Sequence, residues 1–369
     1  MAISATGLGS GLDIEGLVTQ LVSAERMPIE QRIFRTERKL TSDISALGFL
    51  KSALSELQAS ADAVSNTATY SQRNATSSDA TKVSVSATDA AALGSYNVDV
   101  NSLATTHSVA IRNQFSSLTE TVGTGTLTFT FGTTGYTAHA NDNASDTYDG
   151  FVAKAGVASK AVTIDGTNNT LAGLRDAINE ADIGVSAAIV NQGSAYRLLL
   201  SSRASGAENS MEISVTDSGD SNNTDGNGLS RLAFNASAGT TNAYQTTAGA
   251  DAAFTINGLS VSSTTNTVTS AVDGLTINLL ATTTAPATIS VSDNAAGVKT
   301  AIGSFVKGYN DFMTKVDNLT AFDATSGVKG PLLGDFTTRT ITGQLRKTLS
   351  AAAAGYVGAY SRMAEIGVA

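Results

Sequence analysis

The chain has no cysteine and no tryptophan, only three prolines and only two histidines in 369 residues. Without cysteine there are no disulfides, no thiolate nucleophile and no cysteine-ligated metal. Two histidines, His107 and His139, leave little choice of general base, and neither has patterned carboxylates nearby to complete a zinc site. No run of about 18 apolar residues occurs, so the sequence encodes no transmembrane helix. The N-terminus lacks the basic start and short apolar core of a cleaved secretory signal. What is abundant is Ala, Ser, Thr, Gly and Asn, a composition suited to β-rich surfaces and loops.

Charge is unevenly placed. Between Ser108 and Gly297 there are seven Lys/Arg against sixteen Asp/Glu, and the flanks balance, so the formal charge of −9 sits in the middle of the chain. An acidic middle repels nucleic acid and anionic membranes, and no basic patch with interleaved aromatics offsets it. Its plainest consequence is solubility.

The spacing of apolar residues gives three helices. Leu12, Ile14, Leu17, Val18, Leu21 and Val22 form an amphipathic stripe after the glycines at 7, 9 and 11. Pro28, acceptable at an early helical position, marks the start of a long helix to about Val64. In it Ile33, Leu40, Leu47, Leu54 and Ala61 recur every seven residues, with Leu50, Leu57 and Val64 as the second seam position. A second helix, capped by Asn294, carries an unbroken seam: Val298, Ile302, Phe305, Tyr309, Phe312, Val316 and Leu319. Each such side chain contributes roughly 1.5–3 kcal/mol when buried, as an upper bound. The expected partner is the stretch Leu47–Val64, more than two hundred residues earlier, so that everything between is an insertion. Asp335 caps a third helix, with Ile341, Leu345 and Leu349 on one face. Tyr356 to Ala369 shows no clear period.

The insertion reads as strands. Lys82–Ala87, Tyr96–Val100, Leu127–Phe131, Leu275–Leu279 and Ala287–Val291 alternate with period two. Asn257-Gly258 between Ile256 and Leu259 signals a type I′ hairpin. Within it, strand Val162–Ile164 precedes a helix capped by Thr170 with Leu171, Leu174 and Ile178 on one face. Strands Val185–Val190 and Tyr196–Leu200 follow, predicting a β-α-β-β unit whose helix packs on a small sheet.

Catalytic and ligand motifs fail on context. Gly7-x-Gly9-x-Gly11 has no preceding strand, and Leu12 stands where a dinucleotide fingerprint wants glycine. Ser304-x-x-Lys307 spells a penicillin-binding motif but lies in the seam helix without its companion elements. Asp217, Asp220, Asn222 and Asp225 resemble a calcium loop, but Arg231 occupies the twelfth position where the terminal glutamate belongs, so a polar loop is expected. The reading is therefore of a non-enzyme with no cofactor and no metal.

Residues Gly7 to Pro28 closely resemble the N-terminal signature of the bacterial flagellar filament-capping family, a class of hook-associated protein. Thr170-Leu171-Ala172-Gly173-Leu174-Arg175-Asp176-Ala177-Ile178-Asn179, with the two strands after it, is similar to the "IN" module of flagellin and hook-associated proteins. Gly330-Pro331-Leu332-Leu333-Gly334-Asp335 and Phe254–Leu280 also resemble the capping family, whereas Gly123–Gly156 matches no known pattern. The resemblance implies an α+β multidomain fold with a coiled-coil leg (1–40), a helical-bundle domain (41–78 plus 293–369) and two inserted β-rich head domains. These are 79–108 plus 245–292, and an outer one at 109–244 with the IN module at about 160–216. It implies a ring-shaped homo-oligomer at the filament tip that guides exported flagellin into place and prevents its loss. Export would use the flagellar type III pathway, with a dedicated chaperone. Leu8, Leu12, Asp13, Ile14, Leu17 and Leu21 would make the self-assembly and filament contacts. Leu47, Leu50, Leu54, Leu57, Val298, Ile302, Phe305, Tyr309, Phe312 and Val316 would form the helical core. Members of the family usually continue beyond the point corresponding to Ala369, where the leg's partner helix and the chaperone site are expected. The alternatives are a hook–filament junction protein or flagellin relative, which should carry its own N-terminal pattern, and an adhesin whose acidic middle binds host glycans.

Overall fold

The computed structural model describes residues 13–137, 147–236 and 240–351. In these the chain divides into two compact units, one from the segments before Gln72 and after Asp293, the other from Gln72–Asp293.

The first unit begins with α1 (Ile14–Ser65) and a single turn, α2 (Ala68–Ser71). The second then runs β1 (Arg73–Ser77), β2 (Val83–Ala87), β3 (Gly94–Ser102), β4 (Thr106–Ile111), β5 (Gly125–Thr137), β6 (Thr147–Ala153) and β7 (Lys160–Ile164). After α3 (Leu171–Glu180) come β8 (Val185–Asn191), β9 (Tyr196–Ser205), β10 (Ser210–Asp217), β11 (Phe234–Asn235), β12 (Thr240–Thr241) and β13 (Ala243–Thr247). It closes with β14 (Ala252–Ile256), β15 (Leu259–Ser263), β16 (Thr267–Val268), β17 (Leu275–Leu279) and β18 (Ala287–Asp293). The chain then returns to the first unit as α4 (Ala295–Thr320) and α5 (Phe336–Ser350).

The long helix starts earlier than Pro28. Asp13 caps it, its carboxylate accepting from Gly16 N–H at 2.8 Å, and Pro28 lies inside the helix. Proline there removes one backbone bond at a cost of about 3 kcal/mol. The helical spacing of Leu17 to Val22 runs straight into it, so the amphipathic stripe and the long helix are one element.

In the first unit, Ala46, Leu50, Ala53 and Leu57 of α1 bury against Phe305, Tyr309, Phe312 and Val316 of α4 and against Leu332. Leu54, Ala61, Val64, Leu319, Ile341, Leu345 and Leu349 pack around them. The buried seam of α1 therefore alternates alanine and leucine, with steps of four, three and four. Leu50 and Leu57 occupy the expected second seam position, while Ala46 and Ala53 stand one residue before the expected Leu47 and Leu54. Small alanines accept the large rings of α4, whereas Leu47 is left 42% exposed. Asp335 caps α5 through Thr338 N–H at 2.7 Å. Before it, Gly330 N–H donates to Ala321 C=O, and a Cβ on Gly330 would meet Leu319 O at 2.3 Å, which reserves the position for glycine.

Among the described residues the second unit has two cores, and every strand pair is antiparallel. Sheets β1-β18-β3-β14-β15 and β16-β17-β2 supply Val98, Val100, Phe254, Ile277 and Ile289 to one. Its hairpin turns at Asn257 and Gly258, both at positive φ (50° and 83°), as the Asn-Gly signal requires. Sheets β12-β11-β10-β5-β6 and β13-β4-β9-β8 supply the other, joined by Phe115, Phe234 and the Leu171, Leu174 and Ile178 face of α3.

The IN stretch departs from its expected form. Strand β7 pairs with β5 in the six-stranded sheet, while β8 and β9 belong to the four-stranded one. The unit is not one small sheet under a helix. Its strands are shared between two larger sheets, and α3 plugs the core they enclose.

Candidate functional site

The expected assembly residues lie on or before α1. Leu8, Leu12 and the 7–11 glycines fall outside the described residues, as do His139, the side chain of Ile14 and the stretch from Tyr356 onward. Asp13 is a helix cap. Leu17 and Leu21 are on the surface, 48% and 68% exposed.

They are not alone. Val18, Val22, Met27, Ile29, Ile33, Phe34, Leu40 and Ile44 are exposed on the same helix. Arg32, Ile33, Thr36, Glu37, Leu40, Thr41 and Ile44 line a shallow, largely apolar depression. Isolated exposed hydrophobics are ordinary, but a row of them along about thirty residues of one helix marks a surface made to be covered. Arg26 and Glu30 pair at 3.0 Å, a bond of little consequence for stability when so exposed. Met27, Ile29, Phe34 and Ile44 are not among the expected contact residues. Ile29 and Ile44 continue the face of Val18, Val22, Ile33 and Leu40 at helical spacing, whereas Met27 and Phe34 lie off that face and carry no periodic signal.

The core residues divide differently. Leu50, Leu57, Phe305, Tyr309, Phe312 and Val316 are buried together, and Leu54 packs partly buried beside them. Val298 and Ile302 are half-buried, and Leu47 lies outside the cluster. Ala46 and Ala53 are the seam residues that the apolar pattern does not reveal, because alanine carries little hydrophobic signal. Lys315 of α4 reaches Glu56 of α1 at 2.8 Å across the pair.

The chemistry-like motifs have structural occupations. Ser304 faces solvent and Lys307 pairs with Asp311 at 2.6 Å. Asp217 is buried and organises the 217–230 loop. Its carboxylate accepts from the N–H groups of Gly219 (2.7 Å), Leu229 (2.6 Å) and Ser230 (3.1 Å). Arg231 turns to Glu120 at 3.3 Å and covers the Phe115 ring. Glu120 is held below the usual carboxylate range, first by the Ser116 backbone N–H. His107 is fully buried, with Nδ1 accepting from Met211 N–H at 3.1 Å and Nε2 3.1 Å from Gln245 Oε1. Among the described residues no group of three or more His, Asp or Glu could hold a metal ion, and no helix is long and apolar enough to cross a membrane.

Residues 10–107 match the family profile for the N-terminus of flagellar hook-associated protein 2, and 249–369 match that for its C-terminus. The B-type flagellar hook-associated protein 2 of Pseudomonas aeruginosa is 33% identical over 95% of this chain and 71% of its own length. The chain belongs to the flagellar hook-associated protein 2 family. Its Escherichia coli K12 relative is 31% identical over all of this chain and 74% of its own length. The crystal structure of the D1-D2-D3 domains of the Escherichia coli flagellar cap protein is similar, with a TM-score of 0.67 and 29% identity. The match covers 88% of this chain and 81% of that one. The two profiles leave 108–248 unmatched, which contains the IN stretch and the Gly123–Gly156 segment.

Proposed function

We propose that this chain is a structural cap at the distal end of the bacterial flagellar filament, where it guides flagellin into the growing end and prevents its loss. The observation that carries the reading is family membership along nearly the whole chain, with relatives named as flagellar hook-associated protein 2 and a similar fold named as a flagellar cap. The exposed row from Leu17 to Ile44 fits it: a surface of this kind has to be covered by a partner.

In this reading residues 1–40 form a coiled-coil leg, and 41–78 with 293–369 a helical domain. Residues 79–108 with 245–292, and 109–244, form two head domains. Copies of the chain assemble head-to-tail into a closed ring, and flagellin is the subunit they handle. Export follows the flagellar type III route with a chaperone. Leu8, Leu12, Asp13, Ile14, Leu17 and Leu21 make the assembly contacts. The role is non-covalent, so binding surfaces rather than catalytic groups carry it.

The experiment is complementation of a strain lacking its cap with a chain missing residues 1–25. The truncated protein should keep the circular dichroism of its β-rich part, leave filaments ungrown and release flagellin to the medium. Restored filament growth would remove the assignment of the N-terminal segment.

A further inference from the structure

Strand β8 is an outer strand of the four-stranded sheet. Two hydrogen bonds fix which of its backbone groups face the open side. Gly184 C=O accepts from Arg203 N–H at 2.9 Å, and Gln192 N–H donates to Ala195 C=O at 2.8 Å. Even-numbered residues thus turn toward β9, and Val185, Ala187, Ile189 and Asn191 turn outward, since alternate residues of an antiparallel strand face the same neighbour. The strand runs without a bulge and reads Val-Ser-Ala-Ala-Ile-Val-Asn, with no charge and no proline. Such an edge is a template for another strand.

At Ala187, near the middle of the strand, the Asn179 side chain occupies both outward groups. Its Nδ2 donates to Ala187 C=O at 2.9 Å and its Oδ1 accepts from Ala187 N–H at 2.9 Å. A primary amide has one donor end and one acceptor end, as a peptide group does. Asn179 lies in the last turn of α3, whose register is held by the buried Leu171, Leu174 and Ile178 and by the Thr170 cap. The isoleucine and asparagine of the IN stretch therefore have separate tasks, one in the core and one at the sheet edge.

We propose that Asn179 closes the β8 edge, standing where the peptide of a fifth strand would stand, and so prevents a second copy of the chain from adding there through its own β8. A second copy fits because the segment is uncharged and can pair antiparallel with itself about Ala187 without like-charge contact. This inference does not depend on the capping role.

The test uses the full chain. In Asn179→Ala, hydrogen exchange at the Ala187 amide should rise at least about fivefold. Sedimentation velocity should show concentration-dependent association beyond that of the unaltered chain. Adding Ala188→Lys places like charges diagonally across any β8–β8 pair and should return association to the starting level. Asn179→Asp keeps size and acceptor but loses the donor. It should fall between the two, and it carries the comparison if the alanine variant does not fold. Unchanged exchange and sedimentation in the folded variants would overturn the proposal. So would association that persists in the Asn179→Ala, Ala188→Lys double variant, because that marks general misfolding rather than edge pairing.

Discussion

Gly308 of α4 faces Ser60 of α1 with no room for a methyl group: a Cβ on Gly308 would lie 2.8 Å from Ser60 Oγ, which itself donates to Leu57 C=O at 2.7 Å. Two effects of Gly308→Ala oppose each other. Alanine in a helix interior gains about 1 kcal/mol over glycine, while the new methyl displaces a hydroxyl already committed to a hydrogen bond. In the unaltered chain the two should nearly cancel. In a Ser60→Ala background the obstruction is gone, and Gly308→Ala should stabilise by about 1 kcal/mol in urea unfolding. Equal effects in the two backgrounds would show that the helices do not meet at this pair.

The one-residue displacement of the α1 seam has its own consequence. Phe312 is 1% exposed at the centre of the helical core, whereas Leu47 is 42% exposed. Phe312→Ala should cost about 3–5 kcal/mol through lost burial and a cavity. Leu47→Ala should change stability by less than about 0.5 kcal/mol, as surface substitutions do. A large cost for Leu47 would restore the heptad assignment read from sequence.

These contrasts show what the sequence can carry. The α4 seam is legible because large apolar residues mark every position from Phe305 to Val316. In α1, Leu50 and Leu57 fall where the heptad reading put them, but the other seam position is off by one residue because Ala46 and Ala53 give no hydrophobic signal, while exposed Leu40 and Leu47 give a strong one. Pro28 reads as a start because its local preference points that way, and a helix capped at Asp13 overrides it. Strand positions such as Phe129, Phe254 and Ile277 follow from alternation. Sheet membership does not: nothing local separates β7 from β8 and β9, since pairing is decided by long-range contacts with β5. The core task of Ile178 is legible from the apolar face of α3, whereas that of Asn179 is not, because it depends on where the β8 backbone lies against the helix.

Glu212 on β10 presents a further test. Among the described residues its Oε2 is buried without a hydrogen-bond partner. Burial pushes the Glu212 carboxyl above the usual carboxylate range. The fold therefore disfavours the charged form. The cost is fully present above the raised folded pKa and disappears as pH falls through it toward the unfolded value of 4.5. Glu212→Gln should raise the melting temperature at pH 7 and leave it unchanged below about pH 4. A gain of equal size at both pH values would mean that charge is not the cause.

His107 gives the opposite slope. Its Nδ1 accepts from the Met211 backbone N–H, so the ring proton is on Nε2 and faces Gln245 Oε1. Through these contacts one imidazole of β4 ties β10 to β13, with the Phe234 ring 5.9 Å away. Burial lowers its pKa from 6.5 to about 4, with the Gln245 bond acting weakly the other way. Protonation would place a charge in an apolar setting and remove the acceptor that Met211 needs. Stability from the neutral ring is complete above pH 6.5 and is lost as pH falls from 6.5 to about 4, after which both states carry the proton. A shift of this size corresponds to about 3 kcal/mol over the whole window. The unaltered chain should therefore lose more stability than His107→Gln between about pH 7 and pH 4, because glutamine carries no titrating group. Carboxylates elsewhere titrate in both proteins and cancel in the difference. The His107 ring resonances should also stay in the neutral form at about pH 5.5. Parallel stability curves for the two proteins, or a ring that titrates near 6.5, would place His107 outside the core and remove its tie between the sheets.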